Sequence, residues 1–287
     1  MIRRYCLFLL LIFPLFAAAD RARLTWKGPD RPVYVVTQNH YAEGYTPEGD
    51  TAKFGDLIAI EIFNPRGPKA EENPVYKIGE QIALFVGGQR QAEVRIKKVM
   101  PLQCDSSAAL VSTDLSFHIS KDTMALASNS TQIRPHPNSQ RQASEAERNY
   151  ARQLAMKEFL KQALPATLTK NTKIDRLVVT KLDDTDSEFL VGSLSLVTKS
   201  AGHDVFLIAK IAESAATVEF ARYHKTTDLE DGQDSENVSF VDQLDLDGDG
   251  CDEIVVEVTG YENEEFAIYH RSNGSWSQVH LGGGGGC

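Results

Sequence analysis

The feature that most constrains how this chain can fold is an internal repetition in its C-terminal part. Arg176–His224 runs RLVVTKLDDTDSEFLVGSLSL, then HDVFLIAKIA, then AATVEFARYH; Ser239–Leu281 runs SFVDQLDLDGDGCDEIVVEVTGY, then EEFAIYHRSNGSWSQVHL. Each copy has a strand, an acidic turn after a Leu-Asp pair, a strand opening after a glutamate, and two further strands. Four strands in roughly 45–50 residues cannot bury an apolar face alone, so such units need neighbours. The region 173–287 therefore reads as two four-stranded blade-like repeats, 173–225 and 237–281, ending in a Gly-rich tail that carries Cys287. The repeats are expected to pack face to face or to extend the sheet that precedes them.

That preceding region, 20–128, also reads as strands. Pro32–Gln38, Asp56–Phe63, Glu80–Val86 and Ala92–Met100 are rich in Val, Ile, Phe and Tyr. Val94, Ile96 and the later Val99 stand against Glu93, Arg95 and Lys97, the pattern of a half-buried strand. Gly87-Gly88 marks a hairpin turn, and 39–55 and 64–74 read as loops. A small barrel or sandwich fits. Residues 129–143 are rich in Pro, Asn, Ser, Gln and Arg and read as a linker. Ser144-Glu-Ala-Glu147 is a capping box opening a helix over 145–164, stopped by Pro165. Its apolar residues spread widely round the wheel, which predicts packing on two sides or a bridge between domains. The fold class expected is mainly β: a small N-terminal β domain, a linker and helix over 129–172, and two repeats.

The first residues predict export. Arg3 and Arg4, the apolar run 7–16 and Ala17-Ala18-Ala19 follow the order of a cleavable signal peptide spanning 1–19. The run is shorter than the roughly 20 apolar residues that span a bilayer. Cleavage removes Arg3 and Arg4, so the formal net charge of −10 becomes more negative by two. Such a surface repels nucleic acid and anionic lipid. The expected location is the periplasm or the exterior, with no membrane span. Cys6 leaves with the signal; Cys104, Cys251 and Cys287 remain. Export favours disulfides, and Cys251–Cys287 is the expected pair because both lie in one unit. A pairing through Cys104, or three reduced thiols, stays open.

One segment carries recognisable chemistry: Asp245-Leu-Asp247-Gly-Asp249-Gly250-Cys251-Asp252-Glu253, running into Ile254-Val255-Val256. Calcium takes six to eight oxygens at about 2.3–2.6 Å. Carboxylates at positions 1, 3 and 5 of a tight turn can all point inward, and a glycine at position 6 lets the backbone bend. The carbonyl at position 7 then faces the ion, and an acid at position 9 closes the shell. Position 12 is Val256, and strand-like runs flank the loop, so it is not an EF-hand. The pattern resembles the FG-GAP or VCBS-type repeats of integrin-like β-propellers, whose blades carry Asp-x-Asp-x-Asp-Gly-x-x-Asp loops feeding straight into a strand. The resemblance covers about 45 residues, with glutamate at the ninth position where that family has aspartate. It implies calcium ligands at Asp245, Asp247, Asp249 and Glu253, with Cys251 ligating through its carbonyl. All-oxygen ligands favour calcium over zinc. In the first copy, aligning Asp183 with Asp245 and Glu188 with Glu253 leaves the turn three residues short and without the glycine, so no comparable site is expected there.

From Asp228 to Glu265 there are fifteen Asp and Glu and no Lys or Arg, whereas Arg134–Lys181 holds ten basic and four acidic residues. Docking of the basic helix region against the acidic stretch is one expectation; two solvated faces is the other. No serine-hydrolase elbow, P-loop, dinucleotide fingerprint or His-Glu-x-x-His occurs. The seven histidines share no ligand spacing. His224 and His270, each after a tyrosine, read as matching packing positions of the two copies. The expected function is an exported calcium-binding interaction module whose partner is a protein or a glycan. The alternatives are an exported enzyme with a site assembled from scattered residues, or a structural envelope component. A pocket gathering acids or histidines from both domains favours the enzyme; a closed apolar junction counts against it.

Overall fold

The computed structural model describes residues 26–38, 56–67, 77–101, 108–116, 119, 123–135, 140–212 and 215–284. The signal segment, Cys104, Cys287, residues 285–286, the 39–55 loop and most of the 64–74 loop lie outside the described residues.

The chain is mainly β. Seven N-terminal strands are β1 (Val33–Thr37), β2 (Asp56–Phe63), β3 (Gln81–Val86), β4 (Gln89–Arg95), β5 (Lys98–Pro101), β6 (Ala108–Ser112) and β7 (Ala125–Ser128), in the sheet order β4-β3-β7-β1-β2-β6-β5. The run 92–100 is thus two strands, where the sequence suggests one. The chain turns at Ile96-Lys97 and changes partner: Ile96 still exchanges hydrogen bonds with Gly79 and Glu80, while the Lys97 amide donates to Ser112 at 2.8 Å. The two edges of the sheet are successive halves of one bent strand, so the sheet curls closed and leaves no free edge there.

Next come β8 (Arg141–Gln142), α1 (Glu145–Lys161) and the single turn α2 (Ala166–Thr169). The first repeat is β9 (Lys173–Thr180), β10 (Phe189–Val197), β11 (Gly202–Ala212) and β12 (Ala215–Thr226). The second is β13 (Asn237–Leu244), β14 (Glu253–Thr259), β15 (Glu264–Ser272) and β16 (Ser275–Gly282). Each repeat is an antiparallel meander, and β8 adds to the edge of the first.

The units stack as layers. Tyr34, Val36, Leu57, Ala59, Leu84, Val94, Ile96 and Val111 fill the barrel. Its outer face, through Val33, Val35, Ile58, Ile60 and Leu126, packs on Val241, Leu244, Val255, Phe266 and Ile268 of the second repeat. The other face of that repeat, Phe240, Ile254, Val256 and Tyr269, packs on Leu182, Phe189, Val191 and Phe206 of the first. The repeats therefore meet face to face. The first repeat's far side carries α1 through Ala151, Leu154, Ala155 and Phe159. The helix packs on one side only, so neither two-sided packing nor a domain bridge holds. Its cap is as expected: the Ser144 side chain accepts from the Glu147 amide, and Glu147 closes the box. Its basic residues bond to nearby acids, Arg152 to Glu145 and Lys161 to Glu158, and it lies on the opposite side of the first repeat from the acidic stretch.

Two more expectations change. The linker is docked: Ile133 is buried between barrel and second repeat, the Arg134 amide donates to the Asp245 carbonyl at 3.2 Å, and Gln140 reaches Asp242 at 2.9 Å. The described start of the Gly-rich tail is packed too, because Gly282 pairs with Phe266 and a Cβ on Gly283 would meet the Glu61 carbonyl oxygen at 2.6 Å.

Candidate metal centre

The loop 245–252 joins β13 to β14, and Glu253 opens β14. Its geometry follows from short aspartates bonding to backbone two or more residues on. Asp245, fully buried, accepts from the Gly248 amide at 2.7 Å and from the Gly250 amide at 3.0 Å, one on each carboxylate oxygen. Asp247 accepts from the Asp249 amide at 3.1 Å, and Asp249 from the Cys251 amide at 2.8 Å. Gly248 has φ +77°, and a Cβ there would meet the Gln132 carbonyl oxygen at 2.9 Å, so both conformation and space call for glycine.

These turns gather the carboxylates. One oxygen from each of Asp245, Asp247 and Asp249 lies within 4.8 Å of the others. Twice a Ca–O bond of about 2.4 Å is about 4.8 Å, so the three can serve one calcium ion. The donor set is all oxygen and fits that ion. Glu253 is not part of this trio. It groups with Asp247 and His270, again within 4.8 Å. The Glu253 Oε2 accepts from the Leu246 amide at 2.8 Å, and Oε1 lies 2.7 Å from His270 Nδ1. Of the five residues expected to form one shell, Asp245, Asp247, Asp249 and Glu253 fall into two overlapping sets joined at Asp247, and the expected contribution of Cys251 is its backbone carbonyl, not its thiol. Cys251 is a free thiol whose proton burial holds more tightly than usual; its two expected disulfide partners lie outside the described residues.

His270 joins this set although sequence reading assigns it to packing. Its pairing with His224 across the copies does not hold, because His224 lies on the fourth strand of its repeat and His270 on the third. The register does place it: Ile254 pairs with Tyr269, so one step further along the hairpin sets Glu253 opposite His270.

The register also corrects the reading of the first copy. Thr180 pairs with Phe189 and Leu244 with Glu253, so loops 181–188 and 245–252 are equal in length. Asp183 corresponds to Asp247 and Thr185 to Asp249, and the local bonds repeat: Asp183 accepts from the Thr185 amide at 2.9 Å, and Thr185 from the Ser187 amide at 3.2 Å. Lys181 stands where Asp245 does, and Phe189 where Glu253 does. Lys181 pairs with Asp186 at 3.1 Å, so this loop carries its own cation. The two loops touch, through the Asp252 amide donating to the Leu182 carbonyl at 2.7 Å and an Asp183–Cys251 bridge.

The electrostatics show a deficit of positive charge. Burial pushes the Glu253 carboxyl up to about 8. Asp247 is raised by burial and then by Asp249. Burial opposes charge on His270, yet Glu253, with Asp247 and Asp249 nearby, raises the imidazole above its ordinary value. Elsewhere, a cavity of about 10 Å³ between the repeats is lined by Asp204, Arg222, His224 and Glu236, room for roughly one water. The barrel–repeat junction is packed: an apolar cluster lies beside the buried Asp242 carboxylate, which accepts from the Gly87 and Gly88 amides.

Among the described residues, no helix is long and apolar enough to cross a membrane. Comparison with protein-family models, with curated proteins and with solved structures gave no match to this chain.

Proposed function

We propose that this chain is an exported interaction module that binds calcium at 245–253 and presents a protein- or glycan-binding surface stiffened by the ion. The observation that carries the reading is the convergence of Asp245, Asp247 and Asp249 oxygens within 4.8 Å, on a loop whose amides already fix each carboxylate. The likeness of the loop to FG-GAP and VCBS-type repeats supports calcium as the ion, and the crowded carboxylates supply the reason for one. A divalent ion held only by the folded chain adds its binding energy to stability. The closely packed junction between barrel and second repeat favours a binding module over an enzyme assembled from both domains.

The test is a thermal melt in EDTA and across a calcium series from about 10⁻⁶ to 10⁻³ M, beside the double variant Asp247→Ala/Asp249→Ala. Calcium is expected to raise the melting temperature of the unaltered protein and leave the variant where it was. A melting temperature that calcium leaves unchanged in both proteins refutes the site.

A further inference from the structure

The second donor set differs in kind from the first. Asp247, Glu253 and His270 each bring one donor atom within 4.8 Å of the other two, and one of the three is an imidazole nitrogen. Glu253 is fully buried and His270 is 5% exposed. Hard ions such as calcium take oxygen, whereas imidazole suits zinc, copper, iron and nickel. Bonds of about 2.1 Å put two ligands of such an ion at most about 4.2 Å apart. The Glu253–His270 contact of 2.7 Å has to open by only a few tenths of an ångström, as its proton leaves, to reach the separation of about 3.0 Å between neighbouring ligands of such an ion, and a movement of roughly half an ångström brings in the remaining donor. A buried imidazole can balance at most one of the two carboxylates it faces; a divalent ion balances both.

We propose that Asp247, Glu253 and His270 form a second cation position, which takes a divalent first-row transition ion through the His270 nitrogen. It adjoins the proposed calcium position and shares Asp247 with it, so filling one position changes the affinity of the other. The Glu253–His270 hydrogen bond is the ion-free arrangement of this pair, and the Leu246 amide on the other Glu253 oxygen keeps the carboxylate aimed.

Cobalt(II) is the probe. The purified chain is stripped with chelator and titrated with cobalt, read by visible absorption and by melting temperature, then repeated with calcium present. The expected result is saturation near one equivalent, with affinity reduced at least tenfold in His270→Gln and retained in Cys251→Ser. Proton resonances of the cobalt-loaded unaltered protein give a reading that needs no variant to fold: a ligating imidazole moves far outside the ordinary range. Cobalt uptake undiminished in His270→Gln, or lost in Cys251→Ser alone, overturns the assignment. A calcium-dependent melt with no cobalt uptake refutes this inference and leaves the calcium reading standing. His270-dependent cobalt uptake with no calcium effect refutes the calcium reading and leaves this one.

Discussion

Asp242 offers the sharpest test of how the barrel is held to the repeats. A register shift between Phe240 and Asp242 turns this 1%-exposed carboxylate onto the β3–β4 hairpin, where Gly87 and Gly88 both have positive φ, 64° and 73°, as a tight hairpin turn requires. Its Oδ2 accepts from the Gly87 amide at 2.9 Å; its Oδ1 accepts from Gly88 at 3.2 Å, Gln140 at 2.9 Å and the Gln243 amide at 2.8 Å. Burial pushes the carboxyl from 3.8 up to about 7 against those four donors. The substitution Asp242→Asn keeps the shape and the oxygen that serves three donors. It sets an amide NH₂ against the buried Gly87 N–H, a loss of about 1–3 kcal/mol at any pH. It also ends the cost of ionising a buried acid. The folded state binds the proton more tightly than the unfolded chain, so the wild-type residue's contribution falls as pH rises from about 4 to about 7. Between pH 5 and pH 7.5 that contribution changes by roughly 2–3 kcal/mol, at about 1.4 kcal/mol per pKa unit. The Asn variant is therefore expected to be clearly less stable than wild type at pH 5 and about equal to it, or more stable, at pH 7.5. Urea titrations of both proteins at the two pH values, followed by tryptophan fluorescence, read the difference directly. A difference that does not change with pH means that the four donors keep Asp242 ionised throughout, and the burial argument fails.

The remaining predictions concern the loop and the helix. Gly248→Ala forces a side chain into φ +77° and to within 2.9 Å of the Gln132 carbonyl; it is expected to destabilise the chain by at least about 1–2 kcal/mol and to weaken calcium's effect on melting, and a calcium shift of full size counts against the loop geometry. Phe159→Ala empties a fully buried position between α1 and the first repeat, with an expected loss of about 3–5 kcal/mol in denaturant titration. A loss below about 1 kcal/mol would show that the helix is only loosely docked.

Much of the β pattern is legible residue by residue. The run Asp56–Phe63 is strand β2 to the residue, and the capping box at Ser144 opens α1 one residue later. Where the reading fails, long-range partners decide. Val94 and Ile96 keep one phase and Val99 breaks it, which is where the strand changes neighbours and closes the barrel. The polar stretch at 129–143 looks like a tether, yet Ile133 and Gln140 are held by groups more than a hundred residues further on. The three aspartates of the acidic loop are visible because their geometry is local. His270 is not, because seventeen residues and a hairpin register separate it from Glu253. Lys181 and Phe189 escape for the same reason: only the strand pairing aligns the two loops.

The second repeat is the middle layer, and neither of its broad faces meets water. Strands β13, β14 and β15 look toward the barrel through Val241, Val255 and Ile268 and toward the first repeat through Phe240, Ile254 and Tyr269. Separating either neighbour would strand an apolar face, so neither junction opens without a large cost. Amide protons in β14 are then expected to exchange with solvent only when the whole stack comes apart, and the layers to melt as one cooperative unit rather than as the separate modules that their sequences suggest.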